Sequence, residues 1–137
     1  MENEPGLIFH HVGCLTRNIA QSVLFYKEQL GFRHISEVIG IASQQVKVCF
    51  IETGPGIFLE LIEPVGDNAA LGKMLKNNNP YYHIAYRVND MGTMIEKLQK
   101  AGCYLVNRFF SEAFGNKECA FMYTPEMQLL ELIETGG

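Results

Sequence analysis

A chain of 137 residues with 47 % hydrophobic and 19 % charged residues has the balance of a folded globular domain, not of a disordered segment. Its net charge of −4 carries no concentrated basic stretch, which excludes a nucleic-acid backbone as the main partner. No apolar run approaches the roughly 20 residues of a membrane span, and the N-terminal MENEPG lacks the basic-then-apolar order of a secretory signal. The expected location is therefore the cytoplasm, with Cys14, Cys49, Cys103 and Cys119 reduced. Their spacing contains no C-x-x-C pair and no zinc-finger pattern. Cys14 and Cys49 lie in apolar runs and read as small core residues.

In chain order, residues 7–15 read as an apolar strand. Asn18 then reads as a helix cap, with Gln21 placed for a capping box. Ile19, Val23, Tyr26 and Leu30 recur at helical spacing, and Gly31 stops the helix. Strands are expected over 32–40, 45–53 and 56–63, the last two joined by the turn TGPG. The stretch GDNAALGKMLKNNNP follows, its middle predicting a short helix with Leu71, Met74 and Leu75 on one side. A strand over 82–88 comes next. Asp90 then caps a helix carrying Met91, Ile95 and Leu98, which Gly102 ends. Strands are expected over 103–109, 117–123 and 127–134.

The second half repeats the first. His11 falls on His83 at an offset of 72, Gly31 on Gly102 at 71, and Glu60 on Glu131 at 71. The predicted fold is α+β, one domain over 1–137 built from two β-α-β-β-β modules. Module one covers about 7–64, a linker about 65–80 and module two about 81–134.

Within this frame Glu60 and Glu131 do not fit a core. Each lies inside a strongly apolar strand, FLELI and LLELI, and shares a face with bulky residues two positions away. An ionised carboxylate there is costly unless a cation or donors pair with it. His11 and His83 open the two repeats. A lone strand histidine or glutamate is ordinarily structural, but His11–Glu60 and His83–Glu131 are separated by 49 and 48 residues, a recurrence hard to obtain from unrelated positions. If a pseudo-two-fold axis relates the modules, all four converge near it as nitrogen and oxygen ligands for a divalent ion. His10, adjacent to His11, points to the opposite face and has no counterpart in the repeat. Glu63 and Glu134 alternate to the other face and read as solvated.

The stretches HHVGCLTRNI, FYKEQLGF, QQVKVCFIETG, LELIEPVGDN, YHIAYRVND and LLELIE resemble the vicinal-oxygen-chelate superfamily, the glyoxalase, bleomycin-resistance and dioxygenase proteins. Within it they look most like the methylmalonyl-CoA epimerases, and the ligand set is also similar to that of glyoxalase I. The resemblance implies strands cupping one metal ion (cobalt, nickel, manganese or zinc) on His11, Glu60, His83 and Glu131, and commonly a homodimer. It implies an isomerase that moves a proton beside a carbonyl through an enediolate, acting on a small acyl-thioester, with Glu131 as ligand and base and Glu60 as its partner. A glyoxalase I-like lyase acting on a hemithioacetal is the alternative. A dioxygenase suits the four protein ligands less well, and a drug-binding protein of the bleomycin-resistance type typically lacks them.

The chain departs from the epimerase pattern at Tyr82, at Glu112-Ala113-Phe114-Gly115 and at Pro125-Glu126, and has no carboxylate near Lys47 and Val48. Tyr82 or Phe114 would shield the intermediate from water. Lys47, Lys73, Lys76 and Lys117 are candidate contacts for an anionic substrate, although a solvated lysine is the ordinary reading of each.

Overall fold

The computed structural model describes residues 7–135; the N-terminal MENEPG read above and the last two glycines lie outside the described residues. Contacts divide the chain into two compact units. One is His11–Tyr82, and the other joins residues 83–135 to residues 7–10. The first unit takes in β1 (Ile8–Leu15) from His11 on, with α1 (Ile19–Glu28), β2 (Ile39–Ile41), β3 (Val46–Gly54), β4 (Ile57–Pro64) and α2 (Ala69–Lys76). The second takes in β5 (Tyr81–Val88) from His83 on, with α3 (Met91–Lys100), β6 (Tyr104–Ser111), β7 (Lys117–Tyr123) and β8 (Leu129–Glu134). The fold is thus mixed α+β, with the β-α-β-β-β order twice and α2 as the helix expected in the linker. No helix among the described residues is long and apolar enough to cross a membrane.

The strand orders match. In the first unit it is β2-β3-β4-β1, and in the second β6-β7-β8-β5. The first and last strands of each module pair in parallel, β1 with β4 and β5 with β8, while the other neighbours are antiparallel.

Each helix begins as its sequence dictates. Asn18 Oδ1 accepts the Gln21 N–H at 3.0 Å, and Asp90 Oδ1 accepts the Thr93 N–H at 3.0 Å. The reciprocal half of the capping box is replaced, because the Asn18 N–H donates to Thr16 Oγ1 at 3.2 Å. Glu63 and Glu134, expected to be solvated, are half-buried and do equivalent work. Glu63 Oε1 accepts the Ile19 N–H at 3.0 Å, and Glu134 Oε1 accepts the Met91 N–H at 3.3 Å. A carboxylate at a helix start satisfies an open donor and complements the positive end of the helix dipole. Gly31 and Gly102 follow α1 and α3 with φ of +78° and +95°, a conformation that favours glycine.

Two expectations are corrected. Leu30 lies beyond the end of α1 and is 52 % exposed, so it does not continue the apolar stripe. The strand expected over 32–40 is regular only at Ile39–Ile41, with an isolated bridge at Ile35. The hydroxyl of Ser36 is the reason. It accepts the Phe50 N–H at 2.8 Å, taking a donor that a regular ladder would give to a carbonyl.

Alternation along the strands sorts side chains onto two faces. One face packs on the helices. In the second unit Val88, Ala120, Met122 and Leu132 meet Met91, Met94 and Ile95 of α3. In the first, Cys14, Cys49, Ile51 and Leu61 meet Ile19, Val23 and Tyr26. Cys14 and Cys49 stand on either side of Leu61 in one register row, two strand spacings or about 9.6 Å apart, too far for a disulfide. All four cysteines are free.

Leu132 is fully buried in the α3 core, so Leu132→Ala is expected to cost about 2–5 kcal/mol, against about 1 kcal/mol for the cap variant Asp90→Ala. Urea unfolding of the two variants checks the order. Burial pushes the Cys14 and Cys49 thiols up, and only a thiolate attacks an alkylating reagent. Peptide mapping after brief native alkylation is therefore expected to find label on the half-buried Cys103 and none on Cys14 or Cys49 until urea is added.

Candidate functional site

The face turned away from the helices carries the polar residues singled out in the sequence. In the first unit β1 and β4 run parallel, with His11 opposite Phe58 and Gly13 opposite Glu60. His11 and Glu60 are therefore diagonal neighbours on one face, close enough for their side chains to meet. His11 Nε2 lies 3.0 Å from Glu60 Oε1, with the histidine 0 % and the glutamate 4 % exposed. In the second unit Ala85 stands opposite Glu131, which again leaves the histidine two residues earlier on the diagonal. His83 Nε2 lies 3.1 Å from Glu131 Oε1, the two residues being 6 % and 4 % exposed.

Local sequence explains the repetition. The residue directly across from each carboxylate on the parallel strand is small, Gly13 or Ala85, and leaves lateral room for the imidazole. On its other side each carboxylate has a phenylalanine opposite it, Phe50 for Glu60 and Phe121 for Glu131. These rings meet the histidines edge to face, at centroid distances of 5.6 Å for His11–Phe50 and 5.3 Å for His83–Phe121. Each pair is thus held on one side by a small residue and on the other by an aromatic wall.

Sequence reasoning missed Phe50 and Phe121, which read as ordinary strand residues. Their offset of 71, the same as that between the glutamates, was the available signal. Tyr82 precedes His83 on β5 and so projects to the opposite face. Phe114 belongs to the 3-10 turn Glu112–Phe114, packs on Ala85, Cys119 and Ile133, and lies edge to face with His10 at 5.6 Å. Lys47 is on the helix-packed face, 3.5 Å from Glu63. Lys73 and Lys76 are on α2, and Lys117 opens β7.

His11, Glu60, His83 and Glu131 are the buried residues among those described that offer imidazole nitrogen and carboxylate oxygen, a donor set able to hold a divalent ion. The separations fit that use. Two ligand atoms each about 2.1 Å from one ion, at right angles, stand about 3 Å apart, which is the spacing within each pair. A buried carboxylate also needs positive charge nearby, which an ion held there would supply.

The fold agrees with what comparison finds. Residues 10–123 match the family model described as the Glyoxalase/Bleomycin resistance protein/Dioxygenase superfamily. A comparison with curated protein sequences finds no match. Among solved structures the chain is similar to the hypothetical protein BH1468 from Bacillus halodurans C-125, with a TM-score of 0.85 and 22 % identity over 97 % of each chain. It is similar to methylmalonyl-CoA epimerase from Mycobacterium tuberculosis, at 0.84 and 21 %, over 100 % of this chain and 94 % of that one. It is also similar to a variant of the Streptomyces coelicolor methylmalonyl-CoA epimerase in complex with 2-nitronate-propionyl-CoA, at 0.79 and 22 %, over 96 % of this chain and 99 % of that one. Likeness at such identities is one of fold. The family match spans most of the chain, and on that ground the chain belongs to the glyoxalase/bleomycin resistance protein/dioxygenase superfamily.

Proposed function

We propose that this protein is a metal-dependent isomerase that moves a proton on the carbon beside a carbonyl, an epimerase of small acyl-CoA thioesters, with His11, Glu60, His83 and Glu131 holding one divalent ion. The observation that carries the reading is the buried histidine–glutamate pair, present once in each unit at 3.0 and 3.1 Å. An ion held there would supply Lewis acidity to the substrate carbonyl and so make the neighbouring C–H acidic.

The rest falls to the chain. Glu131, held against His83 through Oε1, is the carboxylate that takes the proton from carbon. Glu60 has the same relation to His11 and serves as the second carboxylate. Inversion at a carbon requires a proton removed on one side and returned on the other, a task for two such groups. Phe50 and Phe121 keep water from both carboxylates, so that a charge developing beside them is not quenched by bulk solvent. No further base stands beside them on β3, because Val46 and Val48 occupy that face and are buried. Glu52, at the far end of the strand, accepts the Gly56 N–H at 3.0 Å in the turn. The carboxylates of the two pairs therefore carry the acid–base work.

This absence of a third carboxylate beside Glu60 also suits a second reading, a glyoxalase I-like lyase acting on a hemithioacetal. The two readings share the ligands and divide on the substrate.

Cobalt-loaded protein is expected to hold one ion per chain by elemental analysis, and His83→Ala to lose it. With methylmalonyl-CoA in deuterated water, NMR is expected to show metal-dependent exchange of the α-proton. Glu131→Gln should slow that exchange by about 10²–10⁴-fold, the usual worth of a general base. Unchanged exchange in that variant removes Glu131 from the base role. A fully loaded protein that exchanges nothing, yet forms thioester from methylglyoxal and glutathione, would establish the lyase.

A further inference from the structure

The two modules finish their outer strands differently. β2 and β6 each begin the strand order of their unit and have a single strand neighbour among the described residues, β3 and β7. An open edge presents unpaired N–H and C=O groups, and folded chains ordinarily blunt it. β2 is blunted by its length of three residues and by the irregular run before it, where Ser36 takes the Phe50 N–H. β6 runs for eight residues. A bulge at Val106 interrupts it, and past the bulge residues 107–111 pair with 121–117 without a gap.

This regular stretch carries apolar surface that the module itself does not require. Phe110 stands opposite Glu118 and is 66 % exposed. The matching place in the first module, opposite Lys47, is Gly40, and no heavy atom lies within 4 Å of where its Cβ would be. Alternation puts Asn107, Phe109 and Ser111 on the face of Phe121 and Cys119, and Arg108 and Phe110 on the face of Glu118 and Ala120. Arg108 is already fixed in place, because Nε and Nη2 donate to Glu118 at 2.6 and 3.1 Å.

We propose that this edge is an interface with a second copy of the chain, β6 pairing antiparallel with β6 about a two-fold axis at Phe109. The register follows from the residues. Opposed side chains in a ladder share a face, so the axis passes through a residue. An axis at Arg108 would set two guanidinium groups opposite each other, where like charges repel. Axes at Arg108 or Phe110 would each pair only three residues of the regular stretch, whereas the axis at Phe109 pairs all five. It sets Asn107 opposite the partner's Ser111, and Arg108 opposite the partner's Phe110, where a guanidinium meets an aromatic ring. The pairing also bears on the site. Phe109 stacks on Phe121 at 5.3 Å, and Phe121 is the wall against His83. The partner's Phe109 would cover the outer side of that wall. The interface does not depend on the isomerase reading, and either can fail alone.

Sedimentation velocity of the zinc-loaded full chain over a dilution series is expected to show a dimer at its concentrated end. Amide exchange of that dimer, followed residue by residue by NMR, tests the face. In an open edge strand alternate N–H groups point to water and exchange fast; in a paired one they do not. All amides of residues 107–111 are therefore expected to exchange slowly. Phe110→Lys sets an ammonium opposite the partner's Arg108 and should weaken the dimer at least about tenfold at unchanged zinc content. A chain that stays monomeric throughout the series overturns the proposal and would leave the edge to a strand of another protein. A dimer in which alternate amides of 107–111 exchange fast is built on another face, and overturns it as well. So does a Phe110→Lys chain that dimerises as tightly as the wild type. The wild-type sedimentation and exchange decide even if the variant fails to fold.

Discussion

A carboxylate buried in an apolar strand must be met by a donor or a cation, and the rest of each module is arranged around that demand. Glu60 and Glu131 sit in strands where their neighbours on both sides are leucine, isoleucine and, in the first module, phenylalanine. Each finds a histidine on the neighbouring parallel strand at about 3 Å. Parallel pairing is what makes this possible, because it places the histidine on the diagonal and a small residue directly opposite. Had Gly13 or Ala85 been large, the imidazole would have no lateral space. The cost of burying the charge is thus met by local register, which a sheet fixes more firmly than a loop does.

The same alternation that isolates the polar face builds the hydrophobic one. Leu61 and Leu132 directly follow the two glutamates and point the other way, into the helix-packed cores. The residues two steps further on, Glu63 and Glu134, point the same way and receive the first N–H groups of α1 and α3. One short strand in each module therefore supplies a site carboxylate, a core leucine and a helix cap. A one-residue slip of β4 or β8 would lose all three together.

Much of this was legible because the chain states it twice. The offsets of 71 and 72 single out His11, His83, Glu60 and Glu131 without any structure, and they set the β-α-β-β-β order. What stayed hidden is what periodicity does not encode. Phe50 and Phe121 have the composition of any strand interior, and only cross-strand register shows that they face the carboxylates. Glu63 and Glu134 look solvated because a helix start, distant in sequence, is their partner. The irregular run before β2 depends on a single hydroxyl, Ser36, whose bond to the Phe50 backbone no propensity scale would announce.

A duplicated module also shows where function has diverged, because positions that keep a shared role are held equal and the others are released. The histidine–glutamate pairs are equal, and so are the aromatic walls and the helix-capping glutamates. Leu15 and Val46 against Arg87 and Lys117 are not. Packing alone does not require this difference, since a leucine and a valine already fill the corresponding places in the first module. On the proposed reading, chemistry common to both halves would belong to the pairs, and the positions at which the modules differ would be open to other roles.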